Sequence, residues 1–126
     1  SIDEILNRTE ASIYSKTAIW VATNKKLTDT FNVELLAYEG GQHLVGTRGN
    51  ENNDVLTNKL IAANRHQRMK DIYLKGYAAW FDNGGSLFSV FNFISIPSKW
   101  GSWGILEYLS QPASEAPKYQ ATMELL

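Results

Sequence analysis

A chain of 126 residues with 44% apolar side chains has material for one hydrophobic core and too little for two domains. Twelve basic against thirteen acidic side chains leave a formal charge of -1, which gives no electrostatic footprint for nucleic acid or an anionic membrane surface. The lack of cysteine excludes a disulfide framework, a zinc-thiolate centre and a thiol nucleophile, and it leaves the compartment open. No apolar run approaches the roughly 20 residues that span a bilayer, and Ser1-Ile2-Asp3-Glu4 has none of the features of a signal peptide. The expectation is a soluble single domain.

Ser1 with Glu4 forms a capping-box pattern, and Ile2, Ile5, Leu6, Ile13, Tyr14, Ala18, Val21 and Ala22 recur at helical spacing. This predicts helix over about the first 27 residues, with a break near Thr9. The run from Phe31 to Tyr38 has the length and apolar density of a mostly buried strand, although pattern alone also permits a short buried helix. Glycines and asparagines from His43 to Asn53 mark a loop, and Asn52 or Asn53 can cap a helix from Asp54 to about Ala63. Met69, Ile72, Tyr73, Gly76, Tyr77 and Trp80 then line one helical face, which Asp82-Asn83-Gly84-Gly85 terminates. Ser86 to Ile94 is rich in phenylalanine and valine and reads as a second strand. Ile96 to Gly104 is an aromatic, glycine-rich loop too polar and broken for a core element, and Ile105 to Leu109 reads as a short strand or turn. A last helix runs from about Pro117 to Leu125, with proline in its tolerated first turn. Alternation of this kind, without repeats, low-complexity tracts or a linker, argues for one α/β unit over residues 1–126.

Three segments carry a resemblance. They are Leu35-Leu36-Ala37-Tyr38-Glu39-Gly40-Gly41-Gln42-His43-Leu44, Trp80-Phe81-Asp82-Asn83-Gly84-Gly85-Ser86-Leu87-Phe88, and Lys99-Trp100-Gly101-Ser102-Trp103-Gly104-Ile105-Leu106-Glu107. In this order the whole chain resembles the C-terminal part of a clan A retaining glycoside hydrolase, from the sixth helix to the eighth. The resemblance implies a partial (β/α)8-barrel-like unit in helix-strand-helix-strand-helix order, completed by oligomerisation or by a missing N-terminal barrel portion. It implies a nucleophile position at Glu39, on the end of a strand where such sheets assemble their sites. An oligo- or polysaccharide is the implied partner, and a secreted or periplasmic location accompanies it. No cofactor, nucleic acid or membrane partner is expected.

The chain also departs from that pattern. A whole barrel needs around 250 residues and eight strands, and retaining hydrolysis needs a second carboxyl about 5 Å from the first. The clan carries its acid/base on the fourth strand, for which this sequence has no match. Asn50-Glu51 has the right residue types but follows the Glu39 segment directly, which is the wrong place in the barrel order. Glu107 is the other candidate carboxylate.

Each candidate also has a plainer reading. Glu39 could be an ordinary polar residue at a strand end. Tyr38, Trp100 and Trp103 could stack on sugar rings, or Trp100 and Trp103 could bury the junction before the last helix. Gln42 and His43 could bind hydroxyls or serve only the loop they sit in, and Asn92 could line a pocket if it points inward. Arg65, His66, Arg68 and Lys70 spread around a helix and read as a solvated face, not a phosphate site. His43 and His66 lie too far apart for a metal site, and Gly40-Gly41 and Gly84-Gly85 lack a nucleotide fingerprint. The competing functions are therefore a piece of a glycosidase, inactive alone, and a non-catalytic carbohydrate-binding or interaction module.

Overall fold

Ser1 is the N-cap of the first helix, with its Oγ accepting from the Glu4 N–H at 3.2 Å. In the computed structural model, which describes residues 1–126, α1 (Ile2–Ser12), a π-helical turn (Ile13–Thr17) and α2 (Ala18–Thr30) form one continuous helical rod. The expected break near Thr9 is absent. Thr9, Ser12 and Ser15 donate their hydroxyls back to the carbonyls of Ile5, Thr9 and Ala11 at 2.8, 2.7 and 2.9 Å, so these polar groups are satisfied inside the rod.

The rod ends in a Schellman-type cap three residues beyond the expected end. Val33 N–H donates to the Thr28 carbonyl and Asn32 N–H to that of Asp29, both at 3.2 Å. Asn32 takes the left-handed conformation with φ 52°. This cap claims residues 31–33, so the strand expected from Phe31 starts only at Leu36: β1 is Leu36–Gly40.

β1 pairs in parallel with β2 (Leu87–Val90), Leu36 opposite Leu87 and Ala37 opposite Phe88, with an irregularity before Gly40 meets Val90. Between them lie α3 (Asp54–Arg65), capped by Asn53 Oδ1 on the Leu56 N–H at 3.0 Å, and α4 (Arg68–Phe81). Helices alternating with two parallel strands make the chain α/β. β1 is not the mostly buried strand expected. Leu36, Tyr38 and Leu87 are exposed, because helices cover only one face of the sheet and each strand has a neighbour on one side only.

The core gathers Leu6, Ile13, Met69, Ile72, Tyr73 and Tyr77 with Ala63, Ala79, Ile105 and Ala121. Edge-on aromatic contacts join α4 to the sheet, with Tyr77 and Trp80 each 5.6 Å from Phe88 between ring centroids. Where α4 ends, Gly85 N–H donates to the Trp80 carbonyl at 3.0 Å. A side chain at Gly85 would place its Cβ 2.1 Å from the Trp80 ring.

β2 is shorter than the strand expected over Ser86–Ile94. After Val90 the chain bonds instead to its own return segment: Asn92 N–H to Trp103 O at 3.2 Å, Ile105 N–H to Asn92 O and Leu106 N–H to Phe93 O, both at 3.0 Å. Ile105 to Leu109 contributes one parallel bridge, Leu106 to Ile94, and no strand. Gly101, Ser102 and Gly104 are buried, so the inner half of the aromatic loop belongs to the packed interior, contrary to expectation. A 3-10 turn (Ala113–Glu115) leads into α5 (Pro117–Leu125), which packs on α4.

Candidate functional site

Glu39 is the penultimate residue of β1 and exposed. It takes part in none of the chain's ion pairs. It stands at the C-terminal end of a parallel strand, the edge at which open α/β sheets gather ligands. Tyr38, its neighbour, is 86% exposed.

The turn after β1 docks onto the aromatic loop that follows β2. Gln42 Nε2 donates to the Ser102 carbonyl at 2.8 Å, while its Oε1 accepts from the Leu44 N–H at 2.9 Å. His43 Nε2 bonds to the Trp100 carbonyl at 2.9 Å, and its ring lies 5.5 Å from that of Trp103. Trp103 also meets Phe91 edge-on at 5.8 Å. Gln42, His43, Trp100 and Trp103 are therefore brought together, with Gln42 already engaged at both ends of its amide. Trp100 itself is 59% exposed, with Lys99 Nζ 4.7 Å from its ring centroid. Asn92 follows the cis Phe91–Asn92 peptide bond, and its Oδ1 is buried without a partner.

Glu107 does not serve as a second free carboxylate. Arg65 grips it with two bonds, Nε to Oε1 at 2.7 Å and Nη2 to Oε2 at 2.8 Å. That guanidinium holds the carboxyl below its ordinary range, against the opposing effect of burial. The basic run is likewise spread over separate partners, with Arg68 on Asn7, Asp3 and Glu10 and Lys70 on Glu124. No three His, Asp or Glu side chains gather into a metal-binding cluster.

Two participants escaped the sequence reading. Lys118, in the first turn of α5, is buried and donates Nζ to the Ser102 carbonyl at 2.5 Å. Burial pulls its ammonium down to about 8, with the Glu107 charge opposing. Tyr73 Oη is buried beside Gly41 and Gln42 with no hydrogen bond of regular geometry, and desolvation pushes its ionisation upward against the opposing polar groups of Gln42. Lys118 carries no sequence signal, since a lysine after a helix-opening proline is ordinary. Tyr73 shares its helical stripe with core residues that need no partner.

Beside Glu39 runs an open groove of about 800 Å³, between α1–α2, β1 and α4, with Glu39, Gln42 and His43 at its rim and Tyr73 in its wall. No helix is long and apolar enough to cross a membrane. Comparison with protein-family models, with curated proteins and with solved structures finds no match to this chain.

Proposed function

We propose that this chain is a carbohydrate-directed unit, the C-terminal part of a retaining glycosidase barrel, with Glu39 at the nucleophile position and the acid/base outside the chain. The observation that carries this reading is the convergence at the C-terminal ends of two parallel strands. A carboxylate outside every ion pair stands one residue before the end of β1, and the loop after β2 brings Trp103 onto His43 beside it. Parallel α/β sheets assemble ligand sites at this edge. Aromatic rings match the apolar C–H faces of sugars, so Tyr38, Trp100 and Trp103 supply stacking surface. His43 and the remaining capacity of Gln42 orient hydroxyls, whereas Asn92, expected to do so, keeps its Oδ1 buried and does not line the groove.

In this chemistry a Glu39 oxygen attacks the anomeric carbon, the glycosidic C–O bond breaks, and the absent acid protonates the leaving oxygen. A fluorosugar with a dinitrophenyl leaving group needs no such proton, because the phenolate departs unaided. The chain should then release one equivalent of dinitrophenolate and keep the sugar as an ester on Glu39, detected by peptide mass mapping. Equal release by Glu39→Gln, or an ester on another residue, ends the nucleophile assignment.

The second reading is a non-catalytic carbohydrate-binding or interaction module. The observation that favours it is Glu107, the other candidate carboxylate, which is consumed by Arg65. Calorimetry with oligosaccharides separates the two. Heat that is lost in Trp103→Ala, with no ester formed, selects the binding module; neither heat nor ester with any sugar sinks both.

A further inference from the structure

We infer that Lys118 is a positioning residue of the candidate site: it fixes the Ser102 carbonyl from the side of α5 and so holds the Trp103 ring against His43, beside Glu39. This placement belongs to the free chain and stands whether or not Glu39 is a nucleophile. Only its effect on sugar chemistry rests on the carbohydrate reading.

The aromatic loop is anchored in two parts. Its tip closes on itself, since Ser98 N–H donates to the Gly101 carbonyl at 2.9 Å and Gly101 N–H returns to that of Ser98 at 3.1 Å. The returning leg is held from outside. Ser102 and Trp103 share one planar peptide unit, so the direction of the Ser102 carbonyl sets where Trp103 begins. Lys118 Nζ at 2.5 Å and Gln42 Nε2 at 2.8 Å both donate to that oxygen, which fills its two lone pairs. Past it, Asn92 N–H donates to the Trp103 carbonyl at 3.2 Å, and Ser95 Oγ accepts from the Gly104 N–H at 2.7 Å. The ring itself lies so close to Gly101 that a Cβ there would stand 2.4 Å from it, and in that place it is 5.5 Å from His43. A rotation of the Ser102–Trp103 peptide therefore carries the ring off the histidine.

Gln42 cannot supply a fixed reference. It belongs to the very turn that carries His43, so its bond moves with turn and loop together. Lys118 ties the same oxygen to α5, which is locked to α4 by Ala121 in the core and by the Tyr77 Oη to Thr122 Oγ1 bond at 2.7 Å. The loop thus takes its place from the rigid part of the molecule.

A lysine is also a costly way to make one hydrogen bond. The side chain is buried in the first turn of a helix, where the backbone dipole opposes a cation, and burial weakens its hold on the proton. Glu107 is the carboxylate whose charge supports it, and Arg65 already grips that carboxylate with two bonds. An apolar side chain of similar length would burden the fold less. A residue that lowers stability while fixing one backbone oxygen has the character of a group that serves a site.

The test compares stems with and without the amine at this one position. The chain has no cysteine, so Lys118→Cys can be alkylated at a single thiol in urea and refolded. Treatment with 2-bromoethylamine rebuilds a lysine-length ammonium; 1-iodopropane gives the same length without it. Lys118→Met is the genetic counterpart of the second form. Nuclear Overhauser contacts between the His43 and Trp103 rings and exchange of the Gln42 side-chain amide report the site, while thermal melts near neutrality report the fold. The parent and the aminoethyl form should keep the ring contact and the slow amide. The two amine-free forms should lose the contact and exchange that amide about tenfold faster, yet melt at or above the parent temperature. With the dinitrophenyl fluorosugar they should also esterify Glu39 about tenfold more slowly.

A ring contact that is absent from the parent, that survives without the amine, or that the aminoethyl form does not restore overturns the inference. Amine-free forms that melt below the parent also overturn it, since the lysine is then a prop of the fold alone. So does an unchanged rate of ester formation after the contact is lost. A parent that forms no ester but shows the contact and its loss supports the placement of the loop and removes only the carbohydrate reading.

Discussion

Lys118 Nζ and Gln42 Nε2 donate to one acceptor, the Ser102 carbonyl, at 2.5 and 2.8 Å. A single buried oxygen thus ties α5, the aromatic loop and the turn after β1 together. The tie places an ammonium where solvation is poor and the helix N-terminus repels it.

Stability should therefore rise with pH on the alkaline side. Lys118 titrates at about 8 when folded against an ordinary 10.5, so between these values the unfolded chain holds a proton that the folded chain has shed. Raising pH then favours folding. The full gain approaches about 3 kcal/mol. It is opposed from about pH 10 upward by Tyr73 and Tyr77, whose folded ionisation is pushed above the ordinary 10.0. Urea titrations from pH 7 to beyond 10 should show the rise in the parent and none in Lys118→Met. A flat parent profile contradicts the burial assigned to Lys118.

The pair Arg65–Glu107 should act at the acid end. Glu107 is held below its ordinary 4.5 by the guanidinium, so its contribution is present above that value and lost as pH falls through the lower folded one. Glu107→Gln should cost about 1 kcal/mol near neutrality, since Arg65 is more than half exposed and solvent screens the pair. The acid limb of the stability profile should become shallower; an unchanged limb would assign it elsewhere.

Two glycines should respond in opposite directions. Gly76→Ala adds a methyl into open space within a helix and should stabilise by about 0.5–1 kcal/mol. Gly85→Ala drives a methyl into the Trp80 ring and should destabilise by about 1–3 kcal/mol. Thermal melts of both variants check the pair, and like signs would mean the groove beside Gly76 is filled in solution.

Trp100 and Trp103 should also separate. Trp103 packs between His43 and Phe91, so Trp103→Ala should cost about 2 kcal/mol, less than a fully buried tryptophan. Trp100→Ala should stay within about 0.5 kcal/mol, because its ring is mostly exposed. If both lower the melting temperature equally, the aromatic loop is folded differently.

Local signals were legible in the sequence. The caps at Ser1 and Asn53, the stripe of α4, the glycine stop after Asp82 and the span of α5 all depend on residues a few positions apart. What was not legible depends on distant neighbours. Phe31–Val33 has strand composition, yet the cap around Asn32 satisfies the end of α2. Leu36 and Tyr38 look like core residues but lack the neighbouring strand that would cover them. At the candidate site, the sequence brought Glu39, Gln42 and His43 together by adjacency. The contacts of His43 with Trp100 and Trp103 span about sixty residues and entered only through a family resemblance. Lys118 had no route in at all.

The π-helical turn at Ile13–Thr17 lets one rod serve two seams. Ahead of it, Leu6 faces the core; beyond it, Val21 is buried while the neighbouring Trp20 lines the groove wall. A single surplus residue is taken up in that turn. Because the wider turn absorbs that residue, deleting Ser15 would restore a uniform turn of about 3.6 residues and keep Val21 in the interior. Deleting a residue of α2 beyond the turn would instead swing everything downstream by about 100° and re-aim the groove wall. The groove's shape is thus written in a residue count, not only in residue identities.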